Sequence, residues 1–273
     1  MALQWLGLEQ VYLVKEIKEI DTIGFIGAGN LGKHAMERLA PSHKILAFDP
    51  IEDKKMLNLG VKYVDINELV NGSEIIFLTI KPNKVEEIAF DISKLLSSQP
   101  VISFVAGLKL NTLKKLLNNY ENIHRAMPTL GISSGSSPIA IHSEVDINGS
   151  SVMSILNLLG RCLNIDEHQF DAFTSIFGAG PAYISHLSDT LAEIAKEHGF
   201  IEPEPWIRDM LDGTSFIHKS NEGSTKFEDI KTMVASKGGV TEAALKKIDS
   251  SGLKDIWREA INDAIKKSKS LGD

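Results

Sequence analysis

The chain has 273 residues, of which 43% are apolar and 24% charged, and its formal net charge is −7 at pH 7. This length and composition allow the core of one large or two ordinary domains, which excludes fibrous, collagenous and largely disordered proteins. The negative charge repels polyanions, so we expect no primary role in binding nucleic acid.

Cysteine and histidine usage narrows the class of protein further. The single cysteine, Cys162, cannot form an internal disulfide and has no partner for a C-x-x-C metal or redox pair. The eight histidines are scattered and show no H-E-x-x-H spacing, so we expect no catalytic metal. No uninterrupted apolar run of about twenty residues is present, so we expect no membrane span. These features predict a protein of the reducing cytoplasm.

Residues 1–20 carry apolar side chains spaced roughly as one face of a helix, interrupted by charges such as Glu9 and Lys15. The acidic residues and the lack of a small-residue cleavage site argue against a targeting peptide. We interpret this segment as an amphipathic leader that is either packed on the body of the protein or frayed from it.

From residue 22 onward, short apolar runs alternate with segments of helical periodicity. The pattern predicts strands at residues 23–26, 44–48, 74–80 and 100–105, with a helix at 31–39. Strands that alternate with helices are typical of a doubly wound parallel sheet. Residues 21–165 are therefore predicted to form an α/β domain of Rossmann type.

The strand signals stop near residue 165, and residues 166–273 are predicted to form a helical domain. Helical periodicity is clearest over residues 183–198, 204–219 and 253–269. Helices of this kind commonly bury a remaining apolar stripe against a second copy of the chain, so we expect a homodimer.

The sharpest local signal is the G-x-G-x-x-G run Gly27-Ala28-Gly29-Asn30-Leu31-Gly32, which lies directly after a predicted strand and before a predicted helix. In this context Gly27 permits a tight turn, Gly29 lets the backbone approach a pyrophosphate, and Gly32 lets the helix pack closely on the strand. The exposed amides at the helix start then bind the phosphates. The run predicts a dinucleotide-binding loop.

Asp49 ends the second predicted strand, where an acidic side chain accepts hydrogen bonds from the adenine ribose. This position favours NADH, because a 2′-phosphate beside Asp49, Glu52 and Asp53 is repelled unless Lys54 or Lys55 offsets the charge. The alternative is that Asp49 only begins a turn with the proline that follows it.

A second glycine-containing corner, residues 235–242, joins two predicted helices. Gly238 and Gly239 leave backbone amides uncovered, and Thr241 is predicted to cap a helix that begins near Glu242. The corner is interpreted as a cradle for a small carboxylate. An ordinary helix–turn–helix joint with a threonine cap is the alternative.

Residues 131–135 match the G-x-S-x-G pattern of hydrolases. A nucleophile elbow requires a helix after the serine, whereas residues 138–142 are predicted to form a strand. We therefore regard a hydrolase triad here as a weak alternative.

Six segments, taken together and in order, resemble the pyrroline-5-carboxylate reductases of proline biosynthesis from about Thr22 to Gly272. They are Gly27 to Gly32, Lys81-Pro82, Ser103 to Gly107, Arg125 to Pro128, Gly178 to Tyr183, and Ser236 to Thr241. The resemblance implies an oxidoreductase that reduces 1-pyrroline-5-carboxylate, a small cyclic imine carboxylate, to L-proline with NAD(P)H. It also implies a Rossmann domain followed by a helical domain that dimerises, and dimers that can assemble into a decamer.

The resemblance also implies a role for each matched residue. Thr241 resembles the hydroxyl beside the imine nitrogen, and Lys237 offers an additional cation for the carboxylate. The cofactor loop is Gly27, Ala28, Gly29, Asn30, Leu31 and Gly32; the nicotinamide side is Lys81, Pro82, Ala106, Gly107, Met127 and Pro128; the substrate corner is Ser236, Lys237, Gly238, Gly239, Val240 and Thr241.

The chain departs from the family pattern at Thr129, Gly131, Lys237, Val240 and Asp189. These departures leave open a related cyclic imine as substrate, or a regulatory paralogue that binds the nucleotide with weakened catalysis.

A β-hydroxyacid dehydrogenase is a further alternative. That class uses a catalytic lysine on a helix of its second domain. Lys196 and Lys219 are available, but neither lies in the expected G-x-x-x-K context.

Overall fold

The computed structural model describes residues 19–220 and 226–272. They form two compact units, one ending at Ile165 and the other beginning at Asp166. Residues 1–18 of the predicted leader lie outside the described residues, and its last residue, Ile20, is buried. No helix in the described ranges is long and apolar enough to cross a membrane.

The first unit is built on one eight-stranded sheet with the order β3-β2-β1-β4-β5-β6-β7-β8. All neighbouring strands are parallel except β6 and β7, which are antiparallel. The predicted Rossmann-type parallel sheet is therefore confirmed, with one antiparallel pair added. The strands are β1 (Thr22–Ile26), β2 (Lys44–Phe48), β3 (Lys62–Tyr63), β4 (Ile75–Leu78), β5 (Val101–Ser103), β6 (Ile123–Met127), β7 (Ser137–His142) and β8 (Gly160–Asn164).

Helices cover both faces of this sheet because successive side chains of a strand point to opposite sides. Ile23 and Phe25 pack in one core with residues of α1 (Asn30–Leu39) and α6 (Ser151–Leu159). Ile26 packs in the other core. That second core contains residues of α3 (Ile66–Gly72), α4 (Pro82–Leu95) and α5 (Leu110–Leu116), and the short α2 (Lys54–Asn58) completes the helices of this unit.

The strand order places a crevice beside β1. The chain runs from β1 to β2 and β3 on one side, then returns to place β4 on the other side of β1. Ligands of doubly wound sheets bind at this kind of reversal, outside the carboxyl ends of the strands. The predicted strands at 74–80 and 100–105 are shorter in the structure because their last residues leave the sheet at this edge.

The second unit is helical in its described residues, in agreement with the predicted helical domain. The predicted helices at 183–198, 204–219 and 253–269 are present with slightly different bounds. A π-helical turn, Thr174–Gly178, leads into the first long helix. The helices are α7 (Phe170–Phe173), α8 (Gly180–Glu197), α9 (Glu204–Ser220), α10 (Phe227–Val234), α11 (Val240–Ser250) and α12 (Leu253–Gly272).

Candidate functional site

The glycine loop between β1 and α1 has the geometry that the G-x-G-x-x-G run predicts. Gly27 has φ +104°, and a Cβ there would lie 2.8 Å from the Thr79 carbonyl oxygen. A Cβ on Gly32 would lie 2.6 Å from the Gly27 carbonyl oxygen. A side chain is therefore excluded at both positions by the fold itself.

Gly29 differs from the other two glycines because the protein does not fill the space in front of it. A Cβ on Gly29 would approach Thr79 to only 4.0 Å, and its φ of −70° is open to any residue. The missing side chain therefore leaves room for a ligand rather than for neighbouring protein atoms. Gly29 is the N-cap of α1, no side chain caps the helix, and its first turn contains no acidic residue. The first amides of α1 are thus available to an anion.

Asp49 does more than begin a turn, because it connects β2 to the glycine loop. Its Oδ2 accepts a hydrogen bond from the Ala28 amide at 2.7 Å, and its Oδ1 accepts one from the Ile51 amide at 2.9 Å. Each carboxylate oxygen has two lone pairs, so each retains an acceptor position for a ribose hydroxyl. Asp49 can therefore hold the loop and still bind a ribose.

A cavity of about 420 Å³ opens at the carboxyl ends of β1, β2 and β4. Its size lies within the usual range of small-molecule sites, about 300–1,000 Å³. The lining residues are Gly27, Gly29, Phe48, Asp49, Pro50, Thr79, Ile80, Lys81, Lys84, Glu87 and Ile88. The cavity thus brings together four of the predicted cofactor residues: two loop glycines, Asp49 and Lys81.

The other predicted cofactor residues lie around this edge of the sheet without lining the cavity. Pro82 is the first residue of α4, and the buried Met127 and Pro128 follow one another at the end of β6. Ala106 and Gly107 follow β5, where Gly107 adopts a left-handed φ of +75°. Ala28, Asn30, Leu31 and Gly32 belong to the glycine loop and the first turn of α1.

Thr79, Lys84 and Glu87 belong to the site but were not predicted from sequence. The Thr79 hydroxyl donates to the Gly27 carbonyl oxygen at 2.6 Å and so fastens the glycine loop to the end of β4. Lys84 donates to both carboxylate oxygens of Glu87, at 2.7 and 2.9 Å. Their only sequence signal is that they follow a strand neighbouring β1, which requires knowledge of the strand order.

The corner between α10 and α11 has a different hydrogen-bond pattern from the one predicted. The Gly238 amide donates to the Glu242 carboxylate at 2.7 Å, and the Gly239 amide donates to the Ser236 carbonyl oxygen at 2.9 Å. The prediction that Thr241 is the N-cap is wrong, because Gly239 takes that position and Thr241 lies in the first turn of α11. Glu242 accepts from the Gly238 amide, which lies before the helix, so no side chain caps the first amides of α11.

This corner nevertheless keeps unpaired backbone donors where the helix begins. The amides at the start of an α-helix have no intrahelical acceptor, which here applies to Val240 and Thr241. Lys237 and Ser236 are exposed on the same turn. Hydrogen bonding to Gly238, followed by Lys246, holds the pKa of Glu242 below its usual value, so this carboxylate is ionised beside the helix start.

Among the positions at which the chain departs from the family pattern, Thr129 has a visible structural role. Thr129 is buried, and its hydroxyl accepts a hydrogen bond from the Gly131 amide at 3.1 Å, which caps a short 3-10 turn. The Thr129 amide donates to Ser137 Oγ at 2.8 Å. Asp189 is exposed on α8 and lines a groove between α8 and α9. Thr129 therefore serves the fold.

The alternative chemistries find little support in the described residues. Residues 131–135 form the 3-10 turn and are followed by β7 rather than by a helix, so they are not a nucleophile elbow. Burial raises the pKa of Cys162 to about 11, which keeps this thiol protonated. No group of three or more His, Cys, Asp or Glu side chains suited to a metal ion occurs in residues 19–220 and 226–272.

Two family models match this chain, one in each unit. The model described as NADP oxidoreductase, coenzyme F420-dependent, matches residues 22–107. The model described as pyrroline-5-carboxylate reductase dimerisation matches residues 167–271. The first covers the glycine loop and the cavity, and the second covers the corner between α10 and α11.

Individual relatives extend along both units. Pyrroline-5-carboxylate reductase of Aquifex aeolicus (strain VF5) is 28% identical over 262 residues, which covers 91% of this chain and 97% of that protein. The 1-pyrroline-5-carboxylate reductase structure from Streptococcus pyogenes has a TM-score of 0.76 at 26% identity, with 91% and 98% of the two chains covered.

A third comparison concerns the fold. The structure of Plasmodium falciparum pyrroline carboxylate reductase with NADP bound has a TM-score of 0.81 at 24% identity, covering 94% of this chain and 100% of that one. The dimerisation model matches almost all of the second unit, and relatives named pyrroline-5-carboxylate reductase align along 91% of the sequence; both matches support the pyrroline-5-carboxylate reductase family.

Proposed function

We propose that this chain reduces 1-pyrroline-5-carboxylate to L-proline, the last step of proline biosynthesis, with NAD(P)H as the hydride donor. The observation that carries the proposal is the open cavity in front of Gly29, in a chain whose relatives along 91% of its length are pyrroline-5-carboxylate reductases. The cavity supports a dinucleotide as cofactor, and the similarity to these relatives supports pyrroline-5-carboxylate as substrate.

The residues present at the cavity fit a nicotinamide dinucleotide. The amides at the start of α1 would hold the pyrophosphate, since Gly29 leaves the space free and no acidic residue lies in the first turn. Asp49 would accept from the adenine ribose through its remaining lone pairs. When bound, the reduced nicotinamide supplies a hydride. Lys81, Pro82, Ala106, Gly107, Met127 and Pro128 would surround the nicotinamide half.

The substrate carboxylate is assigned to the start of α11. The sequence predicts that the uncovered amides of Gly238 and Gly239 cradle it, but both amides already donate within the corner. The unpaired first-turn amides, those of Val240 and Thr241, are better placed as donors, with Lys237 as an additional cation. Ser236 closes the turn through its carbonyl oxygen.

The reaction adds a hydride to the imine carbon and a proton to the imine nitrogen, so that C=N becomes CH–NH. The carbon is electrophilic enough when the nitrogen carries or receives a proton. Thr241 is assigned to that nitrogen. Its hydroxyl has a pKa far above neutrality, so it orients the iminium or passes on a proton from water rather than acting as an outright acid. Because the cofactor supplies the hydride, we expect the protein to contribute chiefly by positioning the substrate.

NADH is proposed as the preferred cofactor because Asp49 directly follows β2. A carboxylate favours a free ribose hydroxyl over a 2′-phosphate. We expect Asp49→Ser to weaken both nucleotides, because the Ala28 amide loses its acceptor, and to weaken NADH more than NADPH. Equal weakening of the two in a calorimetric titration would remove Asp49 from cofactor selection.

A homodimer that can assemble further into a decamer is proposed for the working enzyme. Exposed apolar side chains at i, i+3, i+7 and i+10 form a stripe along α8, namely Ile184, Leu187, Leu191 and Ile194. Such a stripe needs a covering partner, and the matched dimerisation model spans it. Light scattering during size-exclusion chromatography should give a multiple of the 29.9 kDa chain mass.

A cytoplasmic location is proposed as well.

A spectrophotometric assay tests the proposed reaction. Absorbance of the reduced nicotinamide is followed while pyrroline-5-carboxylate, and separately 3-hydroxy acids with the oxidised cofactor, are offered. Turnover with the imine alone supports the proposal, whereas turnover with hydroxy acids alone would support the dehydrogenase alternative. Lys196, one lysine considered for that alternative, is exposed and paired with Glu204 on the surface. Nucleotide binding without either reaction would indicate the regulatory paralogue.

A further inference from the structure

Lys33 and Asp53 form an ion pair beside Asp49 that no sequence pattern indicated. Lys33 lies in α1 one turn after the glycine loop, and its Nζ is 2.6 Å from Asp53 Oδ2. The Lys33 and Asp53 side chains are 34% and 25% exposed. Hydrogen bonding to Asp53, with a further contribution from the Asp49 charge, raises the pKa of Lys33. Asp49 is bonded to the Ala28 amide in the glycine loop that leads into α1, and this contact places Asp49 beside the start of the helix that carries Lys33.

Asp53 is held in place by more than this pair. Its Oδ1 accepts from the amides of Lys55 and Met56, at 2.8 and 3.2 Å, as the N-cap of α2. The Asp53 amide donates to the Tyr63 hydroxyl at 3.1 Å. Because Asp53 is fixed by its cap and its backbone, it keeps Lys33 in a defined position.

The position of this pair relates it to the ribose end of a dinucleotide. In doubly wound sheets the acidic residue that ends the second strand binds the 2′-hydroxyl, and a nearby cation accommodates a 2′-phosphate when one is present. Lys33 is such a cation beside Asp49, but its charge is already taken by Asp53. A neighbouring lysine, Lys55, is paired with Glu37.

We propose that the Lys33–Asp53 ion pair determines the choice between NADH and NADPH. While Asp53 holds Lys33, this ammonium is not available to a 2′-phosphate, and the nearby charge of Asp49 disfavours that phosphate. Release of Lys33 provides the cation that a 2′-phosphate requires. The inference rests on the proposed function in one respect, namely that a nicotinamide dinucleotide occupies this cavity.

Asp53→Asn is the variant that removes the negative charge of Asp53 without changing its size or its role as a helix cap. Asparagine is about as good an N-cap as aspartate and has nearly the same size, so α2 keeps its cap while Lys33 loses its anionic partner. We expect the ratio of dissociation constants, NADPH over NADH, to fall by about tenfold or more, the gain of one charge-assisted hydrogen bond to phosphate. Calorimetric titration of the full chain with each nucleotide measures this ratio, and a thermal melt checks folding.

Lys33→Gln is expected to act in the opposite direction. It leaves Asp53 unpaired beside the ribose end, so the ratio should rise, and the Asp53→Asn/Lys33→Gln double variant should lose the gain of the single Asp53 variant. Glu68→Gln serves as the matched control, because it breaks the Lys62–Glu68 pair, which joins β3 to α3 and includes no residue of α1 or of the segment after β2. The ratio of NADPH to NADH dissociation constants in Glu68→Gln should equal that of the wild type.

The outcomes separate this inference from the proposed function. Three results would each overturn the role of the ion pair. The first is an unchanged ratio of NADPH to NADH dissociation constants in Asp53→Asn, and the second is a gain in NADPH binding that persists in the double variant. The third is a Lys33→Gln variant whose preference shifts toward NADPH. Failure of the wild-type chain to bind either nucleotide would instead overturn the proposed function. Neither readout depends on reduction of the imine.

Discussion

The two glycine corners of this protein, one before α1 and one before α11, share a glycine N-cap but differ in the charge of the helical turn that follows. In each, a glycine is the N-cap and no side chain caps the helix. The first turn of α1 contains no acidic residue, whereas that of α11 contains Glu242, which accepts from the Gly238 amide. One helix start is open to an external anion, and the other already holds an internal one.

This difference indicates how much each corner must change to bind an anionic ligand. The α1 corner is fastened by Thr79 and Asp49 and needs no rearrangement to receive a pyrophosphate. At the α11 corner, a substrate carboxylate must share the helix start with the Glu242 charge, which weakens its binding. We therefore expect substitutions at the first corner to abolish binding and those at the second to change rate or affinity.

The largest expected effect is at Gly29. Gly29→Val should abolish dinucleotide binding and leave the thermal stability nearly unchanged, because the added side chain would occupy the ligand's space and its Cβ would come no closer than 4.0 Å to Thr79. Calorimetric titration with NADH and a thermal melt measure the two quantities. Gly27→Ala is the contrasting control and should lower the melting temperature, since its φ is +104° and its Cβ would meet Thr79. Retained NADH binding by Gly29→Val would contradict the loop assignment.

The next effect is at Thr241 in the second corner. Thr241→Ala should lower kcat by about ten- to a thousandfold while NADH binding stays intact, because a group that handles the proton is lost. Thr241→Ser retains the hydroxyl and should recover most of the activity in steady-state kinetics. An alanine variant with wild-type kcat would remove Thr241 from the mechanism.

These two corners also show what sequence can and cannot predict. The strand, turn and helix around the loop before α1 can be predicted nearly to the residue, because they are consecutive in sequence and the turn depends on local glycines. The cap at Thr241 was predicted wrongly, because the competing acceptor, Glu242, depends on how the turn closes. Thr79 was missed, because it reaches the glycine loop only through the placement of β4 beside β1.

The first unit differs further in carrying a deeply buried histidine. His124, in β6, lies against Ser143 and Asn122, at 2.9 and 3.0 Å, and burial lowers its pKa from 6.5 to about 4. The unfolded chain binds a proton between pH 6.5 and 4 that the folded chain does not. The free energy of unfolding should therefore fall on acidification through this window, by at most about 1.4 kcal/mol per pH unit.

Chemical denaturation at several pH values tests this dependence. In His124→Gln, the free energy of unfolding should change less between pH 6.5 and 4 than in the wild type. His168→Gln, at an exposed position, should show the same pH dependence as the wild type. An identical slope in wild type and His124→Gln would contradict the assignment of the buried group.

The smallest expected effect is at Glu242, in the corner before α11. Glu242→Gln removes the internal anion but leaves an oxygen that can accept from Gly238, so KM for the imine acid should fall by about two- to fivefold. Glu228→Gln, in the first turn of α10, is the matched control and should leave KM unchanged. A higher KM in Glu242→Gln would mean that the Glu242 charge assists the substrate rather than competing with it.

The central claim, transfer of a hydride from nicotinamide to the imine carbon, is tested most directly with deuterium. The wild-type enzyme is given NADH labelled with deuterium at both C4 positions together with pyrroline-5-carboxylate, and the product is analysed by mass spectrometry. We predict proline that carries one deuterium on the former imine carbon. The absence of labelled proline, with the enzyme folded and NADH bound, would contradict the proposed function.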